Sequence, residues 1–204
     1  AFHLATEKER GFTEIKTIVD NDFKTVNWNR LNTKVDLVKL KLNQPILPCS
    51  KQTFTLVYTV KIPDSKFTKY GYYNDGRIVL KNWYLNPARF EHKQFIQYSN
   101  ENLDDIPNAF SDFEIEFELP KDYALSSNLQ EINSIELIDT KKVLLNSKNK
   151  NEVVITIEPK STYQTYKNEI IEVSCGIEDS RVKEIDKAII FDRVSRFTAS
   201  KLGL

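Results

Sequence analysis

The strongest constraint on this chain is the alternation of apolar and polar residues along several short segments. In residues 113–119, Phe, Ile, Phe and Leu alternate with three glutamates, and Pro120 ends the run. Successive side chains of a strand point to opposite faces, so this period predicts a strand with one buried face. Residues 35–42 and 54–62 show the same pattern. We expect these two segments to form neighbouring antiparallel strands.

Further strands are predicted at residues 134–138, 143–145, 153–157 and 169–173, separated by Asn, Lys and Ser-rich turns such as 146–151. Residues 1–32 mix charged and apolar positions and are interpreted as a loop followed by one or two strands. The predicted fold class is mostly β, an antiparallel sheet or β-sandwich.

The period changes near Arg181, which predicts an amphipathic C-terminal helix with Gly203 at its C-cap. Ile190 and Phe191 make its apolar stripe wider than one sheet edge readily covers, so we expect part of the helix to pack on a neighbour. The residues that define the helical period are Val182, Ile185, Ile189, Val194 and Phe197.

Composition argues against several functions. Lys plus Arg equals Asp plus Glu at 29 each, so no net charge attracts nucleic acid, and no apolar run approaches the roughly 20 residues of a membrane span. His3 and His92 are the two histidines and neither lies in an HExxH motif, so both are interpreted as surface or turn residues. Nucleophile-elbow and phosphate-loop motifs are missing as well. We therefore expect this chain to be no enzyme by itself and to bind no cofactor.

The acidic clusters and the cysteines are interpreted as structural and not as catalytic or metal-binding residues. The glutamates of 113–119 are interpreted as the polar face of a strand, and Asp104 with Asp105 as part of a turn. Cys49 and Cys175 match no metal-ligand spacing. Two buried free thiols and one disulfide both remain open for them.

Residues 69–95 have the most unusual composition, with aromatic side chains interleaved with basic ones. Trp83, Tyr84 and Arg89 are the candidate site residues. Such a segment can form a platform for carbohydrate or peptide, or its rings can fill core and interface. Pro87 should end a strand there.

Three segments together resemble one known family. They are GRIVLKNWY at 76–84, NAFSDFEIEFELP at 108–120 and YALSSN at 123–128. They resemble the N-terminal β-domain of the gluzincin zinc aminopeptidases, the alanyl-aminopeptidase-like metallopeptidase family. The resemblance extends over residues 33–175, and residues 193–204 look like the helix that leads into that family's zinc domain.

The resemblance implies a saddle-like antiparallel β-domain over residues 1–180, possibly without its first strands, and a helix at 181–204 that leads toward a catalytic domain beyond this chain. The domain would pack on that catalytic domain and help shape its peptide-binding cleft, with Trp83, Tyr84 and Arg89 at the cleft rim or interface. Zinc, the HExxH motif and hydrolysis of peptide N-termini belong to the parent's catalytic domain, and export to the bacterial cell envelope is suggested.

Members of that family carry a Gln ahead of an Ala-Arg and a Phe-Pro-Cys-Phe-Asp-x-Pro stretch. Here residues 83–87, WYLNP, occupy that neighbourhood, so the family's substrate-amine contact is not transferred. The alternative interpretation is a free-standing β-sandwich module that binds carbohydrate or protein partners. In that case the aromatic segment is exposed and the helix caps its own core.

Overall fold

The computed structural model describes residues 4–32, 34–97, 108–159, 164–175 and 181–203. Strands dominate these residues, with a single helix at the C-terminal end, which confirms the mostly-β fold class. His3 and the Asp104–Asp105 pair lie outside the described residues. The elements are β1 (Phe12–Asp20), β2 (Asn27–Leu31), β3 (Lys34–Lys41), β4 (Phe54–Lys61), β5 (Gly71–Tyr72), β6 (Ile78–Lys81), β7 (Phe90–Glu91), β8 (Gln94–Phe95), β9 (Ser111–Pro120), β10 (Tyr123–Ser127), β11 (Gln130–Glu136), β12 (Thr140–Lys150), β13 (Val154–Pro159), β14 (Gln164–Lys167), β15 (Glu172–Cys175) and α1 (Glu184–Leu202).

The larger hydrophobic core draws on two sheets. One has the strand order β10-β13-β6-β5 and the other β11-β12-β9, and all these neighbours are antiparallel. Strand β9 shows the predicted alternation, since its apolar residues face inward and Glu114, Glu116 and Glu118 are exposed. The buried residues of this first core are Leu80, Leu119, Leu129, Val143, Leu145, Val153 and Ile155.

A second core lies among β1 to β4 and contains Ile15, Ile18 and Val26. The prediction that β3 and β4 pair is wrong, because β3 pairs with β2 and β4 pairs with β1. Residues 42–53 between them form a connection much longer than a hairpin turn, so the chain crosses from one sheet to the other instead of folding back.

Two predicted boundaries also change. The turn expected at residues 146–151 is wrong, because β12 continues to Lys150 and stays paired with β9 across a register shift. The strand expected at 169–173 is the turn and second strand of the β14–β15 hairpin. Asn168 makes that turn, since its Oδ1 accepts hydrogen bonds from the amides of Ile170 and Ile171, both at 2.9 Å.

Helix α1 is present as predicted and ends at Gly203, whose φ of 73° and hydrogen bond to the Ala199 carbonyl form the expected C-cap. Its contacts to the β14–β15 hairpin include the stacking of Tyr166 on Phe191, with ring centroids 5.0 Å apart. Cys49 and Cys175 are free thiols. Of the two alternatives left open, the structure has the free thiols and not the disulfide, but Cys49 is exposed rather than buried because it lies in the long connection between β3 and β4.

Candidate functional site

Three consecutive residues of the candidate segment join the two cores. Trp83 and Tyr84 pack against the first core, whereas Leu85 packs against the second. The Leu85 amide donates a 3.4 Å hydrogen bond to the Tyr58 hydroxyl in β4. The backbone at residues 83–85 is therefore held from both sides, because Trp83 and Tyr84 enter the first core and Leu85 enters the second.

The Trp83 and Tyr84 rings belong to an aromatic cluster with β9. Trp83 lies 5.6 Å from Tyr84, edge-to-face, and 5.6 Å from Phe117. Tyr84 lies 5.5 Å from Phe113, again edge-to-face. These are the separations and tilts that aromatic pairs prefer. Burial raises the pKa of the Tyr84 phenol. The Trp83 and Tyr84 rings therefore pack in the core and do not form an exposed platform for carbohydrate or peptide.

Arg89 lies outside this cluster, at the base of a small hairpin formed by β7 and β8. Its Nε is 3.0 Å from Glu91 Oε1, and both side chains are more than one-third exposed. Such a pair contributes little to stability. The Ile96 amide donates a 2.9 Å hydrogen bond to the Arg89 carbonyl and closes the hairpin. The structure therefore brings Trp83 and Tyr84 together and leaves Arg89 several residues further along the same segment.

The β7–β8 hairpin presents an aromatic pair to the outside. Phe90 and Phe95 are opposite each other in register, with centroids 5.0 Å apart and planes at 67°. They are 59% and 60% exposed, which is unusual for two contacting phenylalanines. His92 and Lys93 form the turn, both with positive φ, so His92 is the exposed turn histidine that the sequence predicts.

Sequence reasoning did not single out Phe90 and Phe95 as site residues. Two-residue hairpins are normally signalled by Asn-Gly or Asp-Gly, which accept positive φ easily. Here the turn is His92-Lys93, so the usual signal is missing. The spacing of the two phenylalanines, which places them opposite across a two-residue turn, is the one clue that the sequence holds.

The remaining polar candidates are surface groups. Lys142 lies 3.0 Å from Glu116 and 3.9 Å from Glu118, so two of the β9 glutamates face a cation on the neighbouring strand β12. Within the described ranges, no three His, Cys, Asp or Glu side chains come together in a way that could hold a metal ion.

Comparison of the chain with protein-family models, with curated proteins and with solved structures gave no match. In the part of the chain that the structure describes, no helix combines the length and the apolar character that a bilayer crossing requires.

Proposed function

We propose that this chain is a non-catalytic β-domain of a zinc aminopeptidase-like metallopeptidase, which packs on the catalytic domain and helps to shape its peptide-binding cleft. The observation that carries the proposal is the segment 83–95. It is anchored in both cores by Trp83, Tyr84 and Leu85, and then presents Phe90 and Phe95 at the surface.

The physical argument is that of a preformed docking element. An interface gains most from rigid aromatic side chains that are desolvated on contact, because they lose little conformational freedom. Phe90 and Phe95 already hold each other in an edge-to-face contact within a hydrogen-bonded hairpin. A neighbouring domain with an apolar surface therefore gains their burial at a small entropic cost.

Zinc belongs to the neighbouring domain in this proposal. The described residues bring no three potential ligands together, so they do not fit a zinc site, and we derive no chemical step through the metal on this chain. The resemblance of segments 76–84, 108–120 and 123–128 to the aminopeptidase family is the ground for naming the neighbour.

The first test is the coding sequence of the parent protein after Leu204. The proposal expects an HExxH motif followed by a further Glu, and a purified parent that contains zinc and releases N-terminal residues from peptides. A parent without that motif, or without zinc, overturns the assignment to this family.

The second test measures docking in trans. The 204-residue chain and the separately expressed catalytic domain should associate, and Phe90→Ser with Phe95→Ser should weaken association by about tenfold or more. Ile138→Ser is the matched control, because Ile138 is 86% exposed on the β11–β12 turn and lies outside the docking hairpin. Equal affinities for the double variant and the unmodified chain refute the role of the hairpin.

A further inference from the structure

Helix α1 exposes most of its large apolar residues. The hairpin β14–β15 contacts it through the Tyr166–Phe191 ring pair and through polar groups, with Asn168 Nδ2 donating to Asp192 Oδ1 at 3.0 Å and to Ser195 Oγ at 2.7 Å. Ile190, Val194 and Phe197 point outward instead and are 53%, 57% and 64% exposed. A surface helix normally buries such residues and exposes its polar ones.

Five of the outward residues form a narrow seam. At about 100° per residue, positions 186, 190, 194, 197 and 201 fall within a stripe about 80° wide, on the side of α1 away from Ser195 and Ala199. The seam has an acid at one end, a base at the other and three apolar residues between them. Its members are Asp186, Ile190, Val194, Phe197 and Lys201.

This seam is complementary to itself when reversed. Asp186 and Lys201 are equally distant from a point between residues 193 and 194, and so are Ile190 and Phe197. A second α1 placed antiparallel about a two-fold axis at that point puts acid opposite base at both ends. It also puts Ile190 of one copy opposite Phe197 of the other, with Val194 near the axis. Such matching of one patch with itself is what an isologous dimer interface requires.

We propose that α1 packs antiparallel against α1 of a second copy of this chain. Charge complementarity at the two ends favours a second copy, because the two Asp–Lys contacts arise together only in this reversed register. Arg193 is exposed about 20° outside the seam beside the axis, so the two copies bring their Arg193 side chains near each other, and this repulsion keeps the association weak. The antiparallel arrangement also places the negative end of each helix dipole beside the positive end of the other. This dimer goes beyond the proposed function, since the docking hairpin at Phe90 and Phe95 is a different surface.

The interface is small, and this sets its affinity. One helix pair buries less than the roughly 1,200 Å² of a stable interface, so we expect a dissociation constant on the order of 100 µM. The dimer should therefore form only in concentrated solution.

Sedimentation equilibrium of the 204-residue chain from about 5 to 500 µM tests the proposal. We expect a reversible monomer–dimer equilibrium. Phe197→Glu should abolish the dimer over this range. Ile185→Glu is the matched control, because Ile185 is 63% exposed on α1 but lies outside the seam, and the dimer should persist. Circular dichroism confirms that each variant keeps its helix.

Exchanging the charges of Asp186 and Lys201 tests whether the helix packs on a second copy of this chain or on a different partner. Asp186→Lys alone should weaken association about fivefold or more, because two opposite-charge contacts become repulsive. Adding Lys201→Asp should restore it, although both substitutions oppose the helix dipole and so cannot act by stabilising the helix. A chain that stays monomeric at the highest concentration overturns the proposal. A double variant without recovery, or an Ile185→Glu variant as weak as Phe197→Glu, overturns it as well.

Discussion

Replacing Trp83 with Ala distinguishes an anchoring residue from an exposed binding residue. A fully buried Trp→Ala substitution costs about 3–5 kcal/mol, and the largely buried Trp83 should lose most of that. The cost includes its edge-to-face contact with Tyr84 and its tilted contact with Phe117. The free energy of unfolding should therefore fall by about 3 kcal/mol.

The assay is urea unfolding followed by tryptophan-independent circular dichroism, with the melting temperature as a second readout. For a domain of this size a loss of about 3 kcal/mol lowers the melting temperature by about 6–12 °C. Trp83→Phe is the matched control. The Trp83 Nε1 is buried and has no hydrogen-bond partner among the described residues, so Phe keeps most of the ring contacts and gives up no such bond.

Arg89→Ala provides the contrast within the same segment. Its exposed ion pair with Glu91 is worth at most about 1 kcal/mol, so the melting temperature should hardly change. The reasoning is refuted if Trp83→Ala leaves the unfolding midpoint unchanged, or if Arg89→Ala destabilises the chain as much as Trp83→Ala does.

Three further results are expected. Gly71 has a φ of 129° and a Cβ added to it would overlap the Pro63 carbonyl oxygen, so Gly71→Ala should lower the free energy of unfolding by more than about 1 kcal/mol in urea titrations. Hydrogen bonds from Lys66 and then from Thr6 lower the pKa of Glu9 to about 2, so this contribution to stability is present above about pH 4.5 and is lost as the pH falls toward 2. Glu9→Gln should make the unfolding midpoint less dependent on pH across that window. Asn168→Ala should speed hydrogen exchange at the amides of Ile170 and Ile171, because it removes their acceptor and the two hydrogen bonds from Asn168 to α1. Global stability should stay nearly unchanged, because the Tyr166–Phe191 contact remains.

Local periodicity accounts for what the sequence predicted well. Strands β4 and β9 were placed to within about two residues, because alternation over seven or more positions is a strong signal. The partner of β4 was not predicted correctly, because pairing depends on contacts distant in sequence. The long connection at residues 42–53 allowed the chain to reach either sheet.

The same difference between local and long-range information explains why the position of α1 was predicted and its orientation was not. Helical period and Gly203 located α1 within a few residues, since both are local. Which side faces the rest of the chain is decided elsewhere, by the contacts that Tyr166 and Asn168 of the β14–β15 hairpin make with the helix. An apolar stripe predicts that something covers it, and does not identify what.

The candidate segment, residues 83–97, is held at both of its ends. Residues 83–85 are fixed in two cores, and beyond the hairpin the Gln97 carbonyl accepts a hydrogen bond from Lys34 Nζ in β3. A loop held at both ends loses less conformational entropy when it docks than one held at a single end. In the proposed docking, Trp83 acts by holding the hairpin and not by touching the partner, so Trp83→Ala should weaken association in trans even under conditions where the chain remains folded. Arg89→Ala, which leaves both anchors in place, should weaken it much less.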